Sequence, residues 1–109
     1  MSAMYEMQYQ GVAGGGHGAI YIGKGKIVGI DVTGARYSGT YTNGQTLSGS
    51  ATLTSAGGVL VTGAPIPPGT KVPITFANLP LNLGNGQFVQ VSVGGNPVNV
   101  AFHKIDDIP

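Results

Sequence analysis

The chain contains no cysteine, and its 109 residues include only five basic and four acidic side chains. Without cysteine there is no disulfide framework, no thiolate nucleophile and no thiolate zinc site. A net charge of +1 sets up no broad field that would gather nucleic acid or an anionic membrane, so neither is expected as a partner. Charged residues make up 8% of the chain, against roughly 25% in an ordinary soluble domain. The surface must therefore be covered by Ser, Thr, Asn, Gln and Gly. No run approaches the ~18 apolar residues of a membrane-spanning helix. The opening Met1-Ser2-Ala3-Met4-Tyr5-Glu6 lacks the basic start and apolar centre of a signal peptide, and a cytoplasmic location is expected. Helical spacing is missing too, because Gly or Pro interrupts nearly every candidate window.

What the chain does have is β punctuation. Its twenty glycines and seven prolines alternate with Val, Ile, Leu and aromatic clusters, as turns and bulges do and disordered tracts do not. The stretch from Gly23 to Leu53 organises the rest: Gly23-Lys24-Gly25, Gly34 and Asn43-Gly44 separate β-rich segments at nearly even spacing. Before it, Met4 to Gln10 places Tyr5, Met7 and Tyr9 on one face, Gly14-Gly15-Gly16 is expected to break the chain, and His17 to Ile22 puts Ile20 and Ile22 opposite Tyr21.

Within the central stretch, Lys26 to Thr33 alternates Val28, Ile30 and Val32, the expected core face, with Ile27, Gly29, Asp31 and Thr33. Arg36 to Thr42 aligns Tyr37, Gly39 and Tyr41. Asn43-Gly44 reads as a type I′ turn. Thr46 to Thr54 places Leu47, Gly49, Ala51 and Leu53 inside. Further on come a short strand over Val59 to Thr62, a loop at Pro65-Ile66-Pro67-Pro68-Gly69, and β character from Lys71 to Ala77, where Pro73 demands an edge, an end or a bulge. A connection spans Asn78 to Gly86. Gln87 to Val93 and Pro97 to Ile105 flank Gly94-Gly95-Asn96 as a hairpin, and Asp106 to Pro109 is expected to be a frayed tail. About eight short strands with no helix predict an all-β fold, one antiparallel meander closed into a small barrel over residues 1–109.

The motifs that would carry chemistry fail on context. Gly18-Ala19-Ile20-Tyr21-Ile22-Gly23-Lys24 matches the start of a phosphate-binding loop, yet Gly25 stands where Ser or Thr should hold magnesium, and no helix follows. Gly14 to Ala19 imitates a dinucleotide fingerprint without its βαβ unit. His17 and His103 are two imidazoles where a catalytic zinc normally takes three protein ligands, and no nucleophile-elbow sequence frames any serine. No enzyme, metal or cofactor is expected. Asp31 has two readings: an outward acid near Lys24, Lys26 or Arg36, or an acceptor for buried backbone or tyrosine hydroxyl groups. Tyr21, Tyr37 and Tyr41 read either as cross-strand packing or as the lining of a barrel mouth, where they would be candidate ligand contacts.

Three pieces taken together resemble the GrlR-type family of small type III secretion regulators: the Tyr5 to Gln10 strand with its Gly-rich turn, Gly25-Lys26-Ile27-Val28-Gly29-Ile30-Asp31, and Tyr37-Ser38-Gly39-Thr40-Tyr41. The resemblance covers about Met4 to Leu53. It implies a lipocalin-like barrel with a hydrophobic cavity, a homodimer, and regulation through a protein partner. Gly29, Asp31 and Gly39 are then structural positions. Asn43, Gly44, Gln45 and Thr46 stand where the family's characterised regulator has an acidic cluster, a departure from that pattern, and are the candidate partner contacts. Three classes of function therefore stand: a non-enzymatic regulator acting by protein association, a carrier of a small hydrophobic ligand, and a structural β-module.

Overall fold

Alternating apolar and polar side chains become eight antiparallel strands in the computed structural model, which describes residues 2–12, 14–58, 60, 63 and 65–109. They are β1 (Ser2–Gly11), β2 (Gly14–Gly23), β3 (Lys26–Asp31), β4 (Arg36–Asn43), β5 (Leu47–Thr54), β6 (Lys71–Leu79), β7 (Asn85–Val93) and β8 (Asn96–Asp107). Each pairs with the next, and β1 pairs with β8, so the meander closes into a lipocalin-like barrel without free sheet edges at its ends. Among the described residues there is no helix, hence none long and apolar enough to cross a membrane.

Two of the hairpins turn on glycine's tolerance of positive φ. Lys24 (φ 52) and Gly25 (φ 78) join β2 to β3, and Gly94 (φ 58) with Gly95 (φ 87) joins β7 to β8. Positive φ at both central residues is what a type I′ turn requires. Asn43-Gly44 is different. Neither residue has positive φ; Asn43 is already paired with Leu47, and residues 44–46 form a wider loop closed by Gly44 N–H donating to the Thr46 carbonyl at 3.1 Å.

The interior is built by one face of each strand. Tyr5, Met7, Ile20, Ile22, Tyr37, Tyr41, Leu47, Leu53, Val91, Val93, Val98, Val100 and Phe102 are all buried, with Tyr5 and Phe102 meeting edge to face at a ring separation of 6.2 Å. Burying side chains of this size contributes roughly 1.5–3 kcal/mol each. The phase expected for β3 is reversed. Val28 and Ile30 are half exposed and Val32 is more so, whereas Ile27 and Asp31 are buried. Register forces this, since directly paired residues share a face: Ile27 lies opposite Ile22 and Gly39, and Gly29 opposite Ile20 and Tyr37. Val28 and Ile30 instead face outward beside Tyr21, Ala19, Ser38 and Arg36.

Three other expectations are corrected. Gly14-Gly15-Gly16 does not break the chain but begins β2, pairing with Gly11, Gln10 and Tyr9. Gly16 belongs there because a Cβ on it would meet the Tyr9 hydroxyl at 2.5 Å. Asp106 and Asp107 are not frayed: they pair with Met4 and Ala3, and the next residue's N–H, that of Ile108, donates to the Ser2 carbonyl at 2.9 Å. The β6–β7 connection is shorter than Asn78 to Gly86, because β6 runs to Leu79 and β7 starts at Asn85. Of the strand expected over Val59 to Thr62, Val59, Val61 and Thr62 lie outside the described residues, and Leu60 is not in a strand. Pro73 sits in β6 one residue before its first pair with β7, with its carbonyl accepting from Gly94 N–H at 2.8 Å.

Candidate functional site: an apolar cavity with one polar end

The strands enclose a cavity of about 190 Å³, against the roughly 10–15 Å³ on the same measure that one buried water needs. Its wall is mostly aliphatic and aromatic, with Ile20, Leu53, Val91, Val98 and Phe102 among the lining side chains. Leu60 and Ile66, from the long β5–β6 connection, line it as well, as does Leu83 from the β6–β7 connection. Ser55 anchors that longer connection: its hydroxyl accepts from Gly57 N–H at 2.8 Å, and its carbonyl accepts from Gly69 N–H at 2.8 Å.

The polar end is centred on Asp31, the last residue of β3. Its Oδ1 accepts from Thr33 Oγ1 (2.5 Å), Thr33 N–H (2.9 Å) and Ala35 N–H (3.2 Å), and its Oδ2 accepts from Tyr37 Oη (2.6 Å) and Tyr9 Oη (3.0 Å). The sequence favours this locally. Asp-Val-Thr-Gly is an Asx turn, in which a short carboxylate captures the N–H two residues on, and Gly34 at φ 88 donates to the Asp31 carbonyl at 3.0 Å. Asp31 is thus the acceptor for buried backbone and tyrosine groups and not an outward acid beside Lys24, Lys26 or Arg36. Tyr9 and Thr33 complete the cluster without having been singled out from sequence. The usable signals were the phase that Tyr9 shares with Tyr5 and Met7, and the Asp-x-Thr spacing.

The electrostatics follow from this packing. Burial works to raise the Asp31 pKa, but the hydrogen bonds from Thr33, Tyr37 and Tyr9 outweigh it and hold the carboxyl below its ordinary value. Burial, then the hydrogen bond to Asp31 and its charge, push the Tyr37 phenol far up; burial and the Asp31 charge push Tyr9 up to about 12. Because the folded state holds these phenolic protons more tightly than the unfolded chain, their contribution to stability is complete below the ordinary tyrosine value near 10 and is lost as pH rises through the folded values. Thermal midpoints should therefore fall as pH rises from about 10 to 12. In Tyr37→Phe the fall should be visibly shallower; a parallel decline in the two proteins would count against the assignment.

The other candidate residues scatter. Tyr41 lines the cavity with Tyr37. Tyr21 does not: it lies on the outer face of β2, its hydroxyl 2.8 Å from Ser2 Oγ, so it is no candidate for an interior ligand. Asn43, Gly44, Gln45 and Thr46 form an exposed loop whose one side-chain link across to β6 is Thr46 Oγ1 to Asn78 Oδ1 at 3.5 Å. Gly29 and Gly39 face inward, where a Cβ would come within 3 Å of neighbouring strands. His17 pairs opposite Gln8 and His103 opposite Glu6. Among the described residues, no three His, Asp or Glu side chains gather as metal ligands would.

The wall has one thin place. β6 and β7 share only the pairs Ile74 with Val93 and Thr75 with Ser92. An outer groove along this seam is lined by Thr75, Ala77, Gln90 and Ser92 and shares Phe76 and Val91 with the cavity behind it.

Fold and site together define a class: a small closed antiparallel β-barrel enclosing an apolar chamber with a carboxylate and tyrosine cluster at one end. Set against family models, curated proteins and solved structures, the chain matches none.

Proposed function

We propose that this protein binds a small, mainly apolar molecule inside its barrel, as a carrier or sensor and not as an enzyme. The cavity is the observation that carries the reading. A folded interior normally packs to the density of an organic crystal, and unfilled volume forfeits stability. This chain instead leaves volume open among Ile20, Leu53, Val91, Val98 and Phe102, with Ala51 as the small residue of β5 that lines it. An apolar wall with a few convergent polar groups is the ordinary composition of a ligand pocket. The β6–β7 seam, held by two residue pairs, is the route in. A cytoplasmic location belongs to this reading.

A second reading, a GrlR-like regulator acting by protein association as a homodimer, is favoured by one observation: Val28, Ile30 and Val32 stand exposed along one outer strand and its turn. Native mass spectrometry of protein purified gently from its own cells tests both. The carrier reading expects a retained mass of a few hundred daltons that organic extraction removes. A ligand-free dimer or a co-purified protein would support association, and a bare monomer that takes up no apolar probe would overturn the carrier reading.

A further inference from the structure

The polar end of the cavity has a definite sign. Among the described residues no lysine, arginine or histidine lines the chamber, and Asp31 is the single charged residue in its wall. Among the described residues the one ion pair is Lys104 with Asp107, on the outer surface. The Asp31 carboxylate is therefore held by hydrogen bonds alone, five of them. Those donors stabilise its charge without cancelling it. The hydrogen-bond polarity points the same way. Tyr9 and Tyr37 give their protons to Asp31, so what they offer an occupant of the chamber is oxygen lone pairs.

An incoming carboxylate would meet lone pairs and a like charge. An alcohol could donate one hydrogen bond. An ammonium carries only donors, and its charge is opposite to that of Asp31.

We propose that the ligand is an apolar amine, its ammonium placed against the Tyr9, Asp31 and Tyr37 cluster and its hydrocarbon body along Ile20, Leu53 and Val98. This rests on the reading of the cavity as a ligand site and gives that site its chemical class. Selection against fatty-acid anions is part of the same assignment.

The test uses three probes of one chain length, n-octylammonium, 1-octanol and octanoate, titrated calorimetrically into the intact protein at neutral pH. The expected order is octylammonium tighter than octanol by about tenfold, the scale of a partly screened charge at short range in a protein interior, with octanoate weakest. In Asp31→Asn the advantage of octylammonium over octanol should shrink to about twofold. The order on the unmodified protein is decisive even if that variant does not fold. Equal affinities, or octanoate binding tightest, would overturn the amine assignment and leave ligand binding standing. If none of the three bound, both would fall.

Discussion

Asp31→Ala should lower the thermal midpoint by roughly 15 °C, a loss of about 3 kcal/mol for a domain of this length. The estimate comes from the donors left behind. Tyr37 Oη and Ala35 N–H both give buried hydrogen bonds to Asp31, and a buried donor deprived of its acceptor costs ~1–3 kcal/mol. Tyr9 Oη and the Thr33 groups make part-buried bonds and can turn toward water, so they add less. Asp31→Asn keeps an oxygen for Thr33 and Ala35 and should lose only about 1 kcal/mol.

Acid separates the two effects. The folded-state pKa of Asp31 lies below its ordinary value, so its contribution is present above the unfolded pKa and disappears as pH falls through the folded one. The parent protein should lose stability across that window, and Asp31→Asn should lose less. A midpoint for Asp31→Ala within about 3 °C of the parent would show the cluster to be decoration.

The same residue marks where sequence reading succeeds and where it stops. Turn glycines and period-two alternation carry a barrel of about eight strands, because each rests on a local rule: Gly94-Gly95 takes the φ that a tight hairpin needs, and Leu47 and Leu53 keep one face of β5 in the core. The strands of the Val91 and Val98 hairpin pair as alternation suggests.

Phase is another matter. Judged from β3 and its following turn alone, Val28, Ile30 and Val32 are more apolar than Ile27, Gly29 and Asp31, and hydrophobicity selects the wrong face. The interior face looks weak because Gly29 gives way to a neighbouring strand and Asp31 accepts the hydrogen bonds of the tyrosine cluster. Only the pairing with β2 and β4 reveals it. Likewise Asn43-Gly44 has the residues of a type I′ turn, but Asn43 is itself paired with Leu47, which leaves residues 44–46 as the loop instead. Tyr21 and Tyr37 are chemically alike in the sequence. Strand phase alone puts one outside and the other at the chamber.

Closing eight strands around a space this small needs sharp bending, and the inward glycines permit it. Gly39 is the strongest case. A Cβ built there would lie 2.5 Å from Ala51 Cα and 2.7 Å from Ala51 Cβ. The obstacle is largely backbone, on the strand with which Gly39 is paired, so relief requires β4 and β5 to separate or flatten. Gly39→Ala is therefore expected to cost about 2–3 kcal/mol, the upper range for inserting one methyl group into a packed site.

Gly44→Ala supplies the comparison. That position is in the exposed β4–β5 loop, its φ is not positive, and nothing lies within 4 Å of an added Cβ. A methyl group there should be neutral or slightly stabilising, by up to ~0.5 kcal/mol, through the entropy of the unfolded chain. Guanidinium unfolding of both variants measures the difference directly. If Gly39→Ala unfolds at the same midpoint as Gly44→Ala, strand curvature at Gly39 is not what holds the barrel closed. If it unfolds far earlier, β4 cannot carry a side chain at that position, and part of the chamber's empty volume is a geometric consequence of closing the wall.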